Sequence, residues 1–320
     1  MMRFACKGFM GFVPSQKKFM RVLVAGATGL IGRPLVQALL DRGDEVHYLT
    51  SNKNKCEALA GATGFYWQPE QHQCPDEALA GVSVVINLAG ASVSLPWTKK
   101  RKHQILQSRL DTAKTLELAI AERSETVKHY ISASGISGYA SAQSINYTDR
   151  DEILGSGFLA DVVRQWEAAI LPFEKMGLKT TAVRTGLVLA KNGGVLPKIA
   201  QPIRWGVGSV IGSGKQHQSW IHIDDLVAVY LWIIDQGQTQ VINAVAPNAL
   251  SQKEMTRLMA KVMKRPLWLP PVPSGLLKLF LGERSALVLD SQWVIPEILI
   301  QEAFDFKFPD LQEALTDLLT

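Results

Sequence analysis

The chain has 320 residues, 47% of them hydrophobic, enough to bury one large α/β unit or such a unit carrying a smaller lobe. Four of the five net positive charges fall on Arg3, Lys7, Lys17 and Lys18 in an acid-free stretch of residues 1–19, so the remainder is near neutral and lacks the basic face of a nucleic-acid-binding domain. No apolar run approaches the ~18 residues of a membrane span, and Cys6, Cys56 and Cys74 lie far apart without metal spacing, which fits free thiols, a reducing compartment such as the cytoplasm, and no metal site.

Residues 1–19 are basic and rich in Met and Phe. They lack the long apolar stretch and small-residue cleavage site of a signal peptide, and hold too little Arg and Ser for a transit peptide. A disordered extension is expected here, with the fold opening at Met20. Arg21–Ala25 is a short apolar run carrying β-branched Val22 and Val24. A glycine-rich turn and a helix through about Arg42 follow, ended by Gly43. Glu45–Leu49 and Gly64–Trp67 read as strands, and Val82–Leu88, apolar apart from Ser83 and Asn87, is the kind of run a parallel strand buried on both faces requires. Next come a long helix over Lys99–Glu122, a strand over Val127–Ala133, a helix over Leu159–Met176 and a strand over Lys179–Arg184. Strands separated by helices indicate right-handed βαβ units and a doubly wound parallel sheet.

Beyond Arg184 glycines and prolines become dense between Gly193 and Gly214. Trp220–Ile223 and Val241–Ala244 read as short strands with a helix over Asp224–Asp235 between them. Ser251 is the expected N-cap of a helix to Met263, with Glu254 completing a capping box. Pro266, Pro270, Pro271 and Pro273 then mark an extended crossing before more helix. The expected fold is α/β, a Rossmann-type doubly wound parallel sheet with a small C-terminal lobe.

Gly26-Ala27-Thr28-Gly29-Leu30-Ile31-Gly32 lies between the first strand and the first helix. Glycines spaced this way allow a tight turn, close backbone approach to a pyrophosphate and close helix–sheet packing. The helix N-terminus then presents free N–H groups and a favourable dipole to the anion. Gly26, Thr28, Gly29, Leu30, Ile31, Gly32 and Arg33 are therefore the expected phosphate cradle, with Thr50 and Ser51 at the adenosine ribose. An NAD site usually has Asp or Glu at the end of the second strand, whereas this chain reads Leu49-Thr50-Ser51-Asn52-Lys53. Arg33 directly follows the last glycine, and Lys53 and Lys55, unless merely solvated, add positive charge. NADP(H) is thus favoured over NAD(H). On this reading residues 20–190 are the NADP(H)-binding Rossmann domain, to which 217–245 return. Residues 191–216 and 246–320 form a small lobe on the substrate side.

The glycine turn, Ile86-Asn87-Leu88-Ala89-Gly90-Ala91, Ile131-Ser132-Ala133-Ser134 and Trp220-Ile221-His222-Ile223-Asp224-Asp225 together resemble the extended short-chain dehydrogenases/reductases of the NAD-dependent epimerase/dehydratase superfamily. More closely, with Trp97, Arg101, Ser108-Arg109, Trp166-Glu167, Arg184-Thr185-Gly186, Ala246-Pro247-Asn248 and Gly282-Glu283, the chain resembles the atypical subgroup of epimerase family proteins (YfcH type). The resemblance implies that Asn87, Leu88, Ala89 and Gly90 line the cofactor, and it brings Arg109, Ser132, Arg184, Thr185 and Gly186 into the candidate cofactor site. It also implies that Ser134 occupies the position of the superfamily's catalytic serine, which works beside a Tyr-x-x-x-Lys pair. A phenol near pKa 10 needs such a lysine to act at neutral pH. Here Leu159 and Val163 fall at the tyrosine and lysine positions, and neither can move a proton.

Tyr139, on the loop leaving the same strand as Ser134, is the candidate stand-in, although packing against that loop is the favoured use for it. His222 reads as a structural histidine at least as readily as a proton donor, and Asp224 as a helix cap. Arg101 and Arg109 are eight apart, roughly on one helix face, suited to an anionic substrate or phosphate or to surface ion pairs. Two functions remain open: an NADP(H)-dependent oxidoreductase or epimerase acting on a small carbonyl or alcohol substrate, and a non-catalytic NADP(H)-binding regulatory or scaffold protein. Many relatives pair through helices equivalent to 99–122 and 159–176, which leaves a homodimer open.

Overall fold

The strand–turn–helix order read from Met20 onward is the order the chain adopts in a computed structural model, which describes residues 19–123 and 125–320. The expectation of a disordered extension therefore lies, apart from Phe19, outside the described residues. In chain order the strands are β1 (Arg21–Ala25), β2 (Glu45–Thr50), β3 (Thr63–Tyr66), β4 (Val84–Asn87), β5 (His129–Gly135), β6 (Asn146–Tyr147), β7 (Lys179–Thr185), β8 (Leu187–Leu189), β9 (His217–Gln218), β10 (Trp220–His222), β11 (Ile242–Ala244), β12 (Leu250–Ser251) and β13 (Trp293–Val294). The helices are α1 (Gly32–Asp41), α2 (Lys99–Arg123), α3 (Phe158–Ala168), α4 (Leu171–Lys175), α5 (Leu196–Arg204), α6 (Ile223–Gln236), α7 (Gln252–Val262), α8 (Ser274–Leu281), α9 (Ala286–Leu289), α10 (Glu297–Gln301) and α11 (Leu311–Leu319).

Seven strands form one parallel sheet in the order β11-β7-β5-β4-β1-β2-β3. Alternation along β1 explains why both faces are covered. Val22 and Val24 pack with Leu35 and Leu39 of α1 and with Val229 and Ile233 of α6, while Leu23 and Ala25 pack on the other face with Leu116 and Ile120 of α2. The chain runs outward from β1 in both directions, to β2 on one side and β4 on the other. That reversal opens a crevice beyond the carboxyl ends of these strands, where ligands of open α/β sheets bind.

Two helices depart from expectation. The helix expected over 159–176 is interrupted, with α3 ending at Ala168 and α4 starting at Leu171, because Pro172 has no N–H for the continuing ladder and fits a first turn. Residues 196–204, read only as Gly- and Pro-rich, form α5, with one proline in the first turn and Pro202 inside. Leu196, Ala200 and Ile203 of α5 join Met255 and Met259 of α7 and Leu311 and Leu315 of α11 in an apolar cluster separate from the sheet. Ser251 and Glu254 make the reciprocal capping box that starts α7.

The run Trp220–Asp225 fastens the C-terminal segment to this framework. His222 Nδ1 accepts from the Asp224 N–H at 3.1 Å and the ring lies 4.0 Å from that of Phe308. Asp225 accepts from the backbone N–H of Lys307 at 2.7 Å and of Phe308 at 3.0 Å, while Asp224 pairs with Lys307 Nζ at 2.8 Å. His222 is thus a helix cap and packing group, as its setting suggested. Among the described residues no helix is long and apolar enough to cross a membrane. Cys56 and Cys74 are free thiols.

Candidate active site

The turn after β1 is built by its glycines. Gly26 has φ +82°, and a Cβ there would lie 2.8 Å from the Leu88 carbonyl carbon, so only glycine lets the turn sit on the end of β4. At Gly32 a Cβ would meet the Gly26 oxygen at 2.4 Å, which fixes α1 close against the turn. Gly29 is exposed and closes the turn by donating its N–H to Gly26 at 3.0 Å. Beyond this turn lies a cavity of about 590 Å³ bounded by Gly26, Thr28 and Gly29 on one side and Thr50 and Ser51 on another, with Leu88, Ala89 and Gly90 completing it. The residues present fit a dinucleotide: a side-chain-free turn at a helix N-terminus for the diphosphate, and open backbone from Leu88 to Gly90.

At the far end of that cavity no carboxylate ends β2. Thr50 is buried and its Oγ1 accepts from the Asn52 N–H at 3.2 Å, while Ser51, Lys53 and Lys55 are exposed. Arg33 is exposed and anchored at Nε to the Thr28 carbonyl at 3.3 Å. The carboxylates in the lining are Glu70 and Asp111, the latter held above the usual carboxylate range by burial. Several expected cofactor residues support the cradle from below. Asn87 is buried, donating to the Tyr130 hydroxyl at 3.0 Å and accepting from the Ala89 N–H at 3.1 Å. Ser132 is buried in β5. Leu30 lies against Gly193 and Gly194.

A second cavity, of about 350 Å³, holds Ser134 together with Ile31, Arg109, Thr185 and Gly186. Leu159, Val163 and Trp166 of α3 form its wall. The positions where the superfamily keeps tyrosine and lysine therefore face the same space as the serine, but with aliphatic surfaces. Ser134 Oγ donates to Glu167 Oε1 at 2.6 Å. Glu167 is clamped by Arg184 through two hydrogen bonds of 2.9 Å.

This network relocates two expected site residues. Arg184, expected at the cofactor, is buried, and its remaining donors reach the Tyr139 hydroxyl at 2.7 Å and the Asp151 carbonyl at 2.9 Å. Burial opposes its charge, but Glu167 and Tyr139 outweigh that and hold the guanidinium above its ordinary pKa. Tyr139, the candidate stand-in acid or base, takes instead the packing role also read for it: it is 1% exposed and stacks on Tyr147 at 4.8 Å. Its hydroxyl is committed to Arg184, to the Thr148 carbonyl and to Asn243 Oδ1. Burial also raises its pKa, so it stands behind the Ser134 cavity as an anchor.

Arg109 has a different environment. It is 9% exposed, makes no ion pair among the described residues, and lies 4.5 Å over the Trp166 ring. Nη1 donates to the carbonyls of Ile105 at 2.8 Å and Ala91 at 3.2 Å, and Nε is buried without a partner. Burial first, and Arg101 second, lower its pKa to about 10. It remains a cation facing the cleft beside Gly90, whose Cβ would come within 3.0 Å of it. Arg101, whose charge reaches Arg109, donates to the Ser92 carbonyl at 2.5 Å and to Gln104. Sequence reasoning did not single out Leu187, His217, Gln218 or Leu287, which line the Ser134 cavity. They come from short segments after β7, whose convergence has no periodic signal.

A family model described as the NAD dependent epimerase/dehydratase family matches residues 22–245, and one for a domain of unknown function (DUF1731) matches 272–318. The epimerase family protein SSP1921 of Staphylococcus saprophyticus is 36% identical, over 93% of this chain and 98% of that protein. The chloroplastic epimerase family protein SDR39U1 homolog of Arabidopsis thaliana is 35% identical, over 97% and 90% respectively. The crystal structure of human epimerase family protein SDR39U1 (isoform 2) with NADPH superposes with a TM-score of 0.82 at 28% identity, covering 93% of this chain and 99% of that one.

Proposed function

The chain belongs to the NAD dependent epimerase/dehydratase family, and on that premise we propose that it binds NADP(H) and oxidises or reduces a small alcohol or carbonyl compound at Ser134. The observation that carries this reading is the placement of Ser134, Arg109, Thr185 and Gly186 in one cavity beside the glycine cradle. The structural likeness to a human protein solved with NADPH, together with Arg33 and the acid-free end of β2, supports NADP(H) over NAD(H).

When bound, the nicotinamide ring supplies or accepts the hydride. The protein's part is to hold the substrate oxygen and its proton. Ser134 Oγ donates a hydrogen bond to Glu167 at 2.6 Å, so in alcohol oxidation the substrate hydroxyl proton passes to Ser134 Oγ while the serine's own proton passes to the Glu167 carboxylate, and in carbonyl reduction both move back. Arg184 keeps Glu167 oriented through both oxygens. Leu159, Val163 and Trp166 exclude water from the reacting position, and Arg109 offers positive charge to the cofactor beside Gly90. Arg184 and Tyr139 are given no direct contact with substrate.

Testing uses the purified full chain with NADP(H) and a panel of simple aldehydes, ketones and alcohols, followed by absorbance of the reduced cofactor. Turnover that falls at least 100-fold in Ser134→Ala, without loss of NADPH affinity, is expected. A second reading, a non-catalytic NADP(H)-binding regulatory or scaffold protein, is favoured by Leu159 and Val163. Tight NADPH binding with no turnover across the panel would select it.

A further inference from the structure

The Ser134 cavity does not end at the serine. It adjoins a third cavity, of about 280 Å³, with which it shares Leu187, Gln218 and Leu287. Ile199 and Ile203 of α5, Met255 and Met259 of α7, and Leu277 of α8 supply its walls. Several of its polar groups are already engaged: Gln252 accepts from the Ile211 N–H at 3.0 Å and donates to Thr256 Oγ1 at 2.7 Å, and Ser209 donates to the Pro270 carbonyl, which leaves the Gln218 amide at the neck beside the Ser134 cavity. Lys198 is the one charged residue in the lining, and no carboxylate is present. The cavity reaches solvent past Val207, 50% exposed, and Leu287, 38% exposed.

A nucleoside diphosphate in this position would need several cations or free donors for its phosphates, and these walls offer aliphatic and thioether surface instead. Methionine side chains adapt to flexible apolar guests. We propose that the substrate is an amphiphile, with an alcohol or carbonyl head at Ser134 and an unbranched apolar chain laid between Leu187 and Leu287 into the pocket walled by Met255 and Met259. This deepens the oxidoreductase reading and rests on it for the identity of the head group.

The test titrates the NADP⁺-saturated full chain with primary n-alkanols from hexanol to dodecanol, and with UDP-glucose, by calorimetry. Affinity for the alkanols is expected to rise about three- to fourfold per added methylene until the pocket is filled, the increment of a buried CH₂. Met259→Trp, which fills the pocket, is expected to abolish that increment while NADPH affinity stays at the parent value. Leu287→Glu, at the partly exposed neck, keeps the test open if the tryptophan variant does not fold, and is expected to weaken dodecanol at least tenfold more than hexanol. An affinity independent of chain length, an unchanged increment in both variants, or tighter binding of UDP-glucose than of dodecanol overturns the proposal. Cofactor reduction measured in the same samples separates the two readings. Chain-dependent binding without reduction sinks the enzyme and spares the pocket, whereas reduction without chain dependence does the reverse.

Discussion

Replacing Arg184 by methionine tests the network behind Ser134. Arg184 is 5% exposed, and its guanidinium makes two hydrogen bonds of 2.9 Å to Glu167, one of 2.7 Å to Tyr139 and one of 2.9 Å to the Asp151 carbonyl. Arg184→Met keeps the stem and removes the charge, leaving the Glu167 carboxylate in a largely enclosed site with Ser134 as its remaining side-chain donor. Breaking one partner of a buried pair costs about 3–5 kcal/mol. With an unfolding entropy of about 2.1 cal/mol/K per residue over about 300 residues, each kcal/mol lowers Tm by roughly 1.6 °C, so a fall of about 5–8 °C is expected. Differential scanning fluorimetry at pH 7, with urea unfolding as a check, reads it directly. The double variant Glu167→Leu with Arg184→Met removes both charges and is expected to recover part of the loss, because the stranded carboxylate is the main cost. A single variant within about 1 kcal/mol of the parent would refute the reasoning, since the pair would then behave like a solvent-screened surface contact.

Three further outcomes follow from named contacts. His129 is buried beside Lys179, and burial first, then that charge, hold its imidazole down at about 4. The folded form keeps it neutral while the unfolded chain binds a proton below about pH 6.5, so its share of stability is full above pH 6.5 and is lost as pH falls toward 4, by up to ~3 kcal/mol. A Tm profile from pH 7.5 to 4.5 should therefore flatten in His129→Gln, and an unchanged slope would count against it. Asp225→Asn halves the capacity to accept from the Lys307 and Phe308 N–H groups, costs about 1.5–3 kcal/mol, and should speed trypsin cleavage after Lys307. A parental cleavage rate would show that this latch does not hold the C-terminal segment. Gly32→Ala places a methyl 2.4 Å from the Gly26 oxygen, so the turn must open; NADPH affinity should fall at least tenfold, and parental affinity would contradict the cradle.

The sheet was legible because its signals are local. Val22–Ala25 and Val84–Ile86 are short, unbroken apolar runs, and Gly26, Gly29 and Gly32 stand where a strand meets a helix. The capping box at Ser251 and Glu254 needs only four consecutive residues to be read. The helix over 196–204 was missed because Pro202 argues against helix from within, and only packing of Leu196, Ala200 and Ile203 on α7 outweighs it. The site was half legible. Ser134, Leu159 and Val163 emerged by alignment of motifs, but Glu167 and Arg184 looked like separate motif members. They meet because β5, α3 and β7 are brought side by side, a relation with no fixed spacing. Tyr139 illustrates the converse: proximity in sequence to Ser134 suggested a shared cleft, and the turn after β5 instead drives the ring into the core against Tyr147.

The central claim is that the glycine turn and Arg33 hold NADP(H), and parallel calorimetric titrations with NADPH and NADH test it most directly. NADPH should bind more tightly than NADH, with the gap narrowing about tenfold in Arg33→Ala, the ~1.4 kcal/mol of one charge-assisted contact at an exposed arginine. Binding of neither dinucleotide, or equal affinities that Arg33→Ala leaves untouched, would contradict the account.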